Sequence, residues 1–145
     1  SKKMRPWSKL QREIYKLLVP SINFQIHCIE YPMKSQYGTT SIPRYWITLR
    51  KYIIWDYPKN FIENKNFPYK TDVKEISTLL REYIDTSKEI LYEKEFENDK
   101  WGIINILKAA DKRIGKIRLK ELHKKTDNIA AKRIIGERIK KISVE

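Results

Sequence analysis

Cysteine occurs once in 145 residues, at Cys28, so no intramolecular disulfide can form. The same count excludes a Cys-x-x-Cys redox pair and the Cys/His spacings of structural zinc sites. Glycine is nearly as scarce, with four residues, and none falls in a Gly-rich loop that could cradle a phosphate or a dinucleotide. No stretch approaches the ~18 consecutive apolar residues that a membrane-spanning helix needs. Lys2, Lys3 and Arg5 are not followed by an apolar run, so no signal peptide is expected. Internal repeats, low-complexity tracts and Gly/Ser linkers are also missing. These absences predict one domain over residues 1–145, without cofactor or membrane contact, in a reducing, cytoplasmic setting.

What is plentiful is positive charge: 31 Lys and Arg against 18 Asp and Glu, a net +13. The excess is uneven. Residues 1–70 carry +9, residues 71–99 carry −5, and residues 108–141 return to +9. Such a field attracts polyanions and speeds encounter with them.

Hydrophobic spacing predicts the elements. Ser8 and Gln11 form a capping-box pattern, and Leu10, Ile14, Leu17 and Leu18 share one helical face, giving a helix over about 8–19 that Pro20 closes. From Ile22 the period becomes two: Ile22, Phe24, Ile26 and Cys28 point one way, Asn23, Gln25 and His27 the other. A loop is expected from Pro32 to Pro43. Two strands then reverse at Arg50–Lys51, and a two-residue turn would set Trp46 opposite Trp55, Arg44 opposite Tyr57 and Ile47 opposite Ile54.

After an irregular stretch between Pro58 and Pro68, Asp72 opens a helix bearing Val73, Ile76, Leu80 and Ile84. Thr86 and Glu89 suggest a second capping box, and Asp99 a cap for the helix of Ile103, Leu107 and Ala110. Leu119 and Leu122 mark another helix, and Asp127 is expected to cap the last. The expected class is α+β: an N-terminal helix, a three-stranded antiparallel sheet, then a C-terminal run of four to five helices. Residues 1–70 would form the helix and sheet, and residues 71–145 a helical part packed on it.

Two surfaces stand out. The first is the helical region from Lys108, where Lys116, Lys120 and Lys124 recur every four residues on the side away from Leu119 and Leu122. Lys112, Arg113 and Arg133 extend it. These six are the expected nucleic-acid contacts, to DNA or RNA, with the helix pair around Gly115 as a weaker groove-reading pattern. The second is a strand face with Asn23, Gln25, His27, Arg44, Trp46, Thr48, Trp55 and Tyr57, with Arg50 at its edge and Lys34 in the loop that leads to Arg44. It could stack unpaired bases on its rings, or lie covered beneath helices.

Catalytic signals are poor. His27 and Cys28 alternate across a strand and cannot act as a base–nucleophile pair. Asp56 followed by Glu63 and Lys65 has the look of a metal-dependent nuclease triad, but the latter two sit in a stretch with little strand character. No catalytic residue and no metal ligand is assigned, and a non-enzymatic role is favoured. The different class of reading is a protein-interaction module, a homodimer or an accessory partner of an acidic protein, in which the acidic stretch 71–99 meets a basic face.

Four segments act as a signature: Trp7-Ser8-Lys9-Leu10-Gln11, Ile22 to Cys28, Pro43-Arg44-Tyr45-Trp46-Ile47, and Ile54-Trp55-Asp56-Tyr57-Pro58. Together they resemble a family of small, uncharacterised bacterial proteins, over most of the chain. The resemblance implies a bacterial, cytoplasmic origin and brings no activity, ligand or catalytic residue with it. The order helix–strand–strand–strand–helix over 8–84 also resembles the double-stranded RNA-binding fold, though Lys70 to Glu75 lack that fold's basic cluster.

Overall fold

Trp7–Leu17 forms the first helix, α1, and buries Leu10 and Ile14 while Lys9, Arg12 and Lys16 stay exposed. The computed structural model describes residues 7–35, 38–57, 73–97, 99 and 102–144. Three strands follow α1: β1 Phe24–Ser35, β2 Gly38–Leu49 and β3 Tyr52–Tyr57. They form one antiparallel sheet in the order β1-β2-β3. Among the described residues five helices follow: α2 Val73–Asp85, α3 Lys88–Leu91, α4 Ile103–Ala110, α5 Lys116–Lys125 and α6 Ile129–Val144. The architecture is α+β in the expected order.

The expected loop at Pro32–Pro43 is instead a long hairpin, with Pro32 opposite Ser41 and Pro43 opposite Glu30. Proline survives here for a reason visible at Ile26. The amide of Ile26 bonds to the Tyr15 hydroxyl at 3.0 Å, and its carbonyl accepts from Gln11 Nε2 at 2.7 Å, so both backbone groups point away from β2. Pro32 on β1 and Pro43 opposite Glu30 fall an even number of residues from the Ile26–Ile47 pair. Pro32 lies on the row of β1 that points away from β2, and Pro43 on the row of β2 that points away from β1, so neither has to supply an amide to the β1–β2 ladder. The two α1 side chains also blunt a strand edge that would otherwise offer itself for pairing.

The turn at Arg50–Lys51 is the expected two-residue one, with both residues left-handed (φ 51° and 72°). Leu49 pairs with Tyr52 and Thr48 with Ile53. A bulge then intervenes between Ile47 and Thr48, so Ile47 pairs with Trp55, Trp46 with Asp56, and Tyr45 with Tyr57. Ile54 is the extra residue, and its insertion flips all that follows to the other face. Trp55 and Tyr57 therefore join Tyr45 and Ile47 against the core, not Trp46. This corrects the Trp46–Trp55, Arg44–Tyr57 and Ile47–Ile54 pairings read from the sequence.

Capping differs in detail. Thr86 does not open a helix. Its hydroxyl donates to Glu82 O at 2.7 Å and finishes α2, and α3 is a single turn behind Ser87. Asp99 does cap α4, accepting the amides of Ile103 and Ile104 at 3.0 Å each. Asn128, one residue past the expected Asp127, caps α6 by accepting from the amide of Ala131 at 3.1 Å. Buried residues from α1, β1, β2 and all five later helices form one continuous cluster, with Ile106, Leu107 and Ile134 fully enclosed. Among the described residues no helix is long and apolar enough to cross a membrane.

Candidate nucleic-acid interface

The segment between α4 and α5 is a buried polar knot that decides which basic side chains reach solvent. Asp111 is fully buried. Its Oδ2 accepts from the Tyr83 hydroxyl and from Arg113 Nη2, each at 2.7 Å, and its Oδ1 from Arg113 Nε at 3.0 Å. Arg113 Nη1 also donates to Thr86 O at 3.0 Å. Hydrogen bonding to Asp111 raises the Arg113 pKa, while burial and the neighbouring carboxylate raise that of Tyr83 well above its usual value. Arg138 completes the knot, donating to the carbonyls of Ala109, Asp111 and Ile114 at 2.8 to 3.1 Å. The first two belong to the end of α4, where carbonyls lack helical partners, and the third to the link before α5. Desolvation lowers the Arg138 pKa, with Asp111 and Tyr83 opposing.

Arg113 was expected on the nucleic-acid surface, but its guanidinium is occupied inside the fold. Lys108 is likewise turned inward, 6% exposed, donating to Tyr92 O at 3.1 Å and Lys94 O at 3.0 Å over the Phe96 ring. Desolvation lowers its pKa against the opposing pull of Glu95, Asp99 and Glu93.

The other expected contacts face solvent. α5 begins at Gly115 and buries only Leu119 and Leu122, so Lys116, Lys120 and Lys124 are all exposed. Lys112, in the link before α5, and Arg133, on α6, are exposed as well. None of these five takes part in an ion pair among the described residues. Arg118 and Lys125 lie over the Tyr92 ring at 5.2 and 5.7 Å, and Glu121 accepts from the Tyr92 hydroxyl at 3.2 Å. The first turn of α5 has no acidic residue and carries Lys116 and Arg118, against the direction the helix dipole favours. Such an arrangement costs about 0.3–1 kcal/mol per charge at low salt. The groove-reading pattern fares worse, because seven of the eight residues of α4 are buried and leave no face to lie across a phosphate backbone.

The bulge dissolves the aromatic strand face. Of that set, Gln25, His27, Trp46 and Thr48 remain together, with Asp56 now across from Trp46. His27 stacks on Trp46 at 4.7 Å between ring centroids, and its Nε2 lies 3.0 Å from Thr48 Oγ1. Burial lowers the His27 pKa. Arg50 sits at the turn and pairs with Glu137 at 2.8 Å. Lys34 and Arg44 lie on the paired backbones of β1 and β2, and their side chains fall outside the described residues, as do Glu63 and Lys65 of the nuclease-like pattern. Among the described residues no three His, Cys, Asp or Glu side chains gather as a metal site would require.

The Tyr83–Asp111–Arg113–Arg138 knot was missed because its members are spread from residue 83 to residue 138 through ordinary-looking sequence. Asp111 in particular reads as a helix stop. No curated protein and no solved structure matches the chain. One family model does, over residues 6–77 and 68–138, and the chain belongs to the SF0329 protein family, which is uncharacterised.

Proposed function

We propose that the protein contacts nucleic acid, without catalysing a reaction, through α5 and the exposed cations beside it. The observation that supports this reading is the row Lys116, Lys120 and Lys124, exposed on one helix with no paired carboxylate among the described residues. Lys112 and Arg133 widen the row. Phosphate contact needs only such a surface, because each neutralised phosphate releases condensed counterions. A reducing, cytoplasmic compartment suits the single, half-buried Cys28.

The protein-interaction reading has less to draw on. Part of the acidic surplus at 71–99 is used within the fold, where Glu82 pairs with Lys94 at 3.1 Å and Asp99 caps α4. Fewer carboxylates are left to meet a second copy.

Fluorescence anisotropy with labelled duplex DNA, single-stranded DNA and duplex RNA tests the proposal. With five cations engaged, affinity should fall roughly 10²- to 10³-fold between about 50 and about 200 mM salt. Reversing Lys116, Lys120 and Lys124 to Glu should abolish binding at the higher salt and reduce the salt slope by about three. An unchanged affinity in that variant overturns the reading.

A further inference from the structure

A cavity of about 350 Å³ opens where the turn after α3 meets α4 and the junction of α5 with α6. It is lined by Tyr92 to Glu95, by Asn105 and Lys108 of α4, and by Leu122, Lys125 and Thr126. That volume is at the small end of natural ligand sites. Its lining is mostly polar in character, and two of its buried groups, each already holding two hydrogen bonds, keep one hydrogen with no oxygen acceptor among the described residues.

The first is Lys108. An ammonium has three N–H donors, and two of these meet the carbonyls of Tyr92 and Lys94. The third has no oxygen partner among the described residues. The second is Thr126, 4% exposed. Its Oγ1 accepts from Asn105 Nδ2 at 3.2 Å and from the Asn128 amide at 3.1 Å, which occupies both lone pairs. Its own hydrogen is therefore left to donate, and no acceptor for it occurs among the described residues. Buried donors without acceptors are rare and costly. Lys125 adds a third donor group to the same cavity, so three donor-bearing side chains line it, two of them cationic.

We infer that this cavity binds a small hydroxylated phosphomonoester, with the phosphate oxygens meeting Lys108, Thr126 and Lys125 and the hydroxyls facing Glu93 and Glu95. A phosphate offers three terminal oxygens to three donors, where a carboxylate offers two. Glu93 and Glu95 are exposed members of the same lining. They disfavour a bare anion and accept hydrogen bonds from a polyol, which selects for a ligand carrying both groups. The site is separate from the exposed lysine row and goes beyond the nucleic-acid reading.

Titrating isotope-labelled protein with ribose 5-phosphate, and observing backbone amides by NMR, tests the inference. Saturable shifts at Glu93, Asn105 and Thr126 are expected, with ribose alone inert and inorganic phosphate weaker. Lys125→Gln, a change at an exposed residue, should weaken binding about tenfold. Lys108→Met should abolish it if the variant folds. No shift at these amides up to about 10 mM ligand, a millimolar ceiling on any useful affinity, overturns the inference. So does an unchanged affinity in Lys125→Gln, or shifts confined to Lys116, Lys120 and Lys124.

Discussion

Both carboxylate oxygens of the fully buried Asp111 are met by donors from Tyr83 and Arg113. A buried ion pair is weak evidence for net stability, yet removing one partner leaves the other charge stranded. Asp111→Asn keeps the volume and removes the charge, so it should destabilise the protein by about 3–5 kcal/mol in urea unfolding. Tyr83→Phe removes one neutral donor and should cost about 1–2 kcal/mol. A loss below about 1 kcal/mol in the Asn variant would mean the knot is dispensable. His27 makes a pH-dependent contribution of known sign. Burial favours its neutral form in the folded state, so its folded pKa lies below the ordinary value of about 6.5. The unfolded chain then binds more protons between the two values, and the contribution is complete above about pH 6.5 and is lost as pH falls through the folded pKa. Urea midpoints measured on both sides of that window should show an acid-side decline in the parent. His27→Gln should flatten it.

At the scale of elements, the helices were legible because their apolar spacing is regular: Ile76 and Leu80 of α2, Leu119 and Leu122 of α5, and Ala131 and Ile135 of α6 are all buried as the pattern requires. The sheet was legible only up to the first irregularity. Its strand order and turn follow from the period-two pattern, but the bulge at Ile54 leaves no mark in composition, since Ile54 reads as one more β-branched strand residue. One extra residue reverses the faces of Trp55 and Tyr57. The long hairpin was hidden by Pro32 and Pro43, which read as loop until the outward row is identified. The turn itself contains removable strain. Arg50 and Lys51 both hold left-handed φ, a conformation that costs a side-chain-bearing residue about 1–3 kcal/mol and glycine almost nothing. Lys51→Gly should therefore stabilise the protein by about 1 kcal/mol after the greater flexibility of the unfolded glycine is subtracted. Arg50 stays unchanged so that its pairing with Glu137 is kept. A rise of several degrees in melting temperature is the expected readout, and a fall would show that the Lys51 side chain is itself stabilising.

For the molecule as a whole, net charge was readable from the sequence but its placement was not. Lys108, Arg113 and Arg138 all count toward the +9 of residues 108–141, yet each is turned inward to carbonyls or to Asp111, and sequence spacing cannot separate them from their exposed neighbours. Backbone bonds of the segment these groups hold in place join the two parts of the chain. Leu18 forms an isolated bridge with Asp111, the Val19 amide donates to Ala110 O at 2.9 Å, and the Lys112 amide donates to Leu17 O at 2.8 Å. Arg138 of α6 and Tyr83 of α2 close on the same segment, and the buried cluster runs without a gap from Ile26 and Ile47 to Leu107 and Ile134. A sheet and a helical bundle that share backbone bonds and one core should open together. Native-state amide exchange should therefore give Ile26, Ile47, Leu107 and Ile134 a common opening free energy, equal to the global value from urea unfolding. Asp111→Asn should lower all four by the same amount, because the segment that Asp111 holds in place is bonded through its backbone to Leu17, Leu18 and Val19 of the other part. If the helical amides kept their protection while the sheet amides lost theirs, residues 1–70 and 71–145 would be two cooperative units that happen to touch.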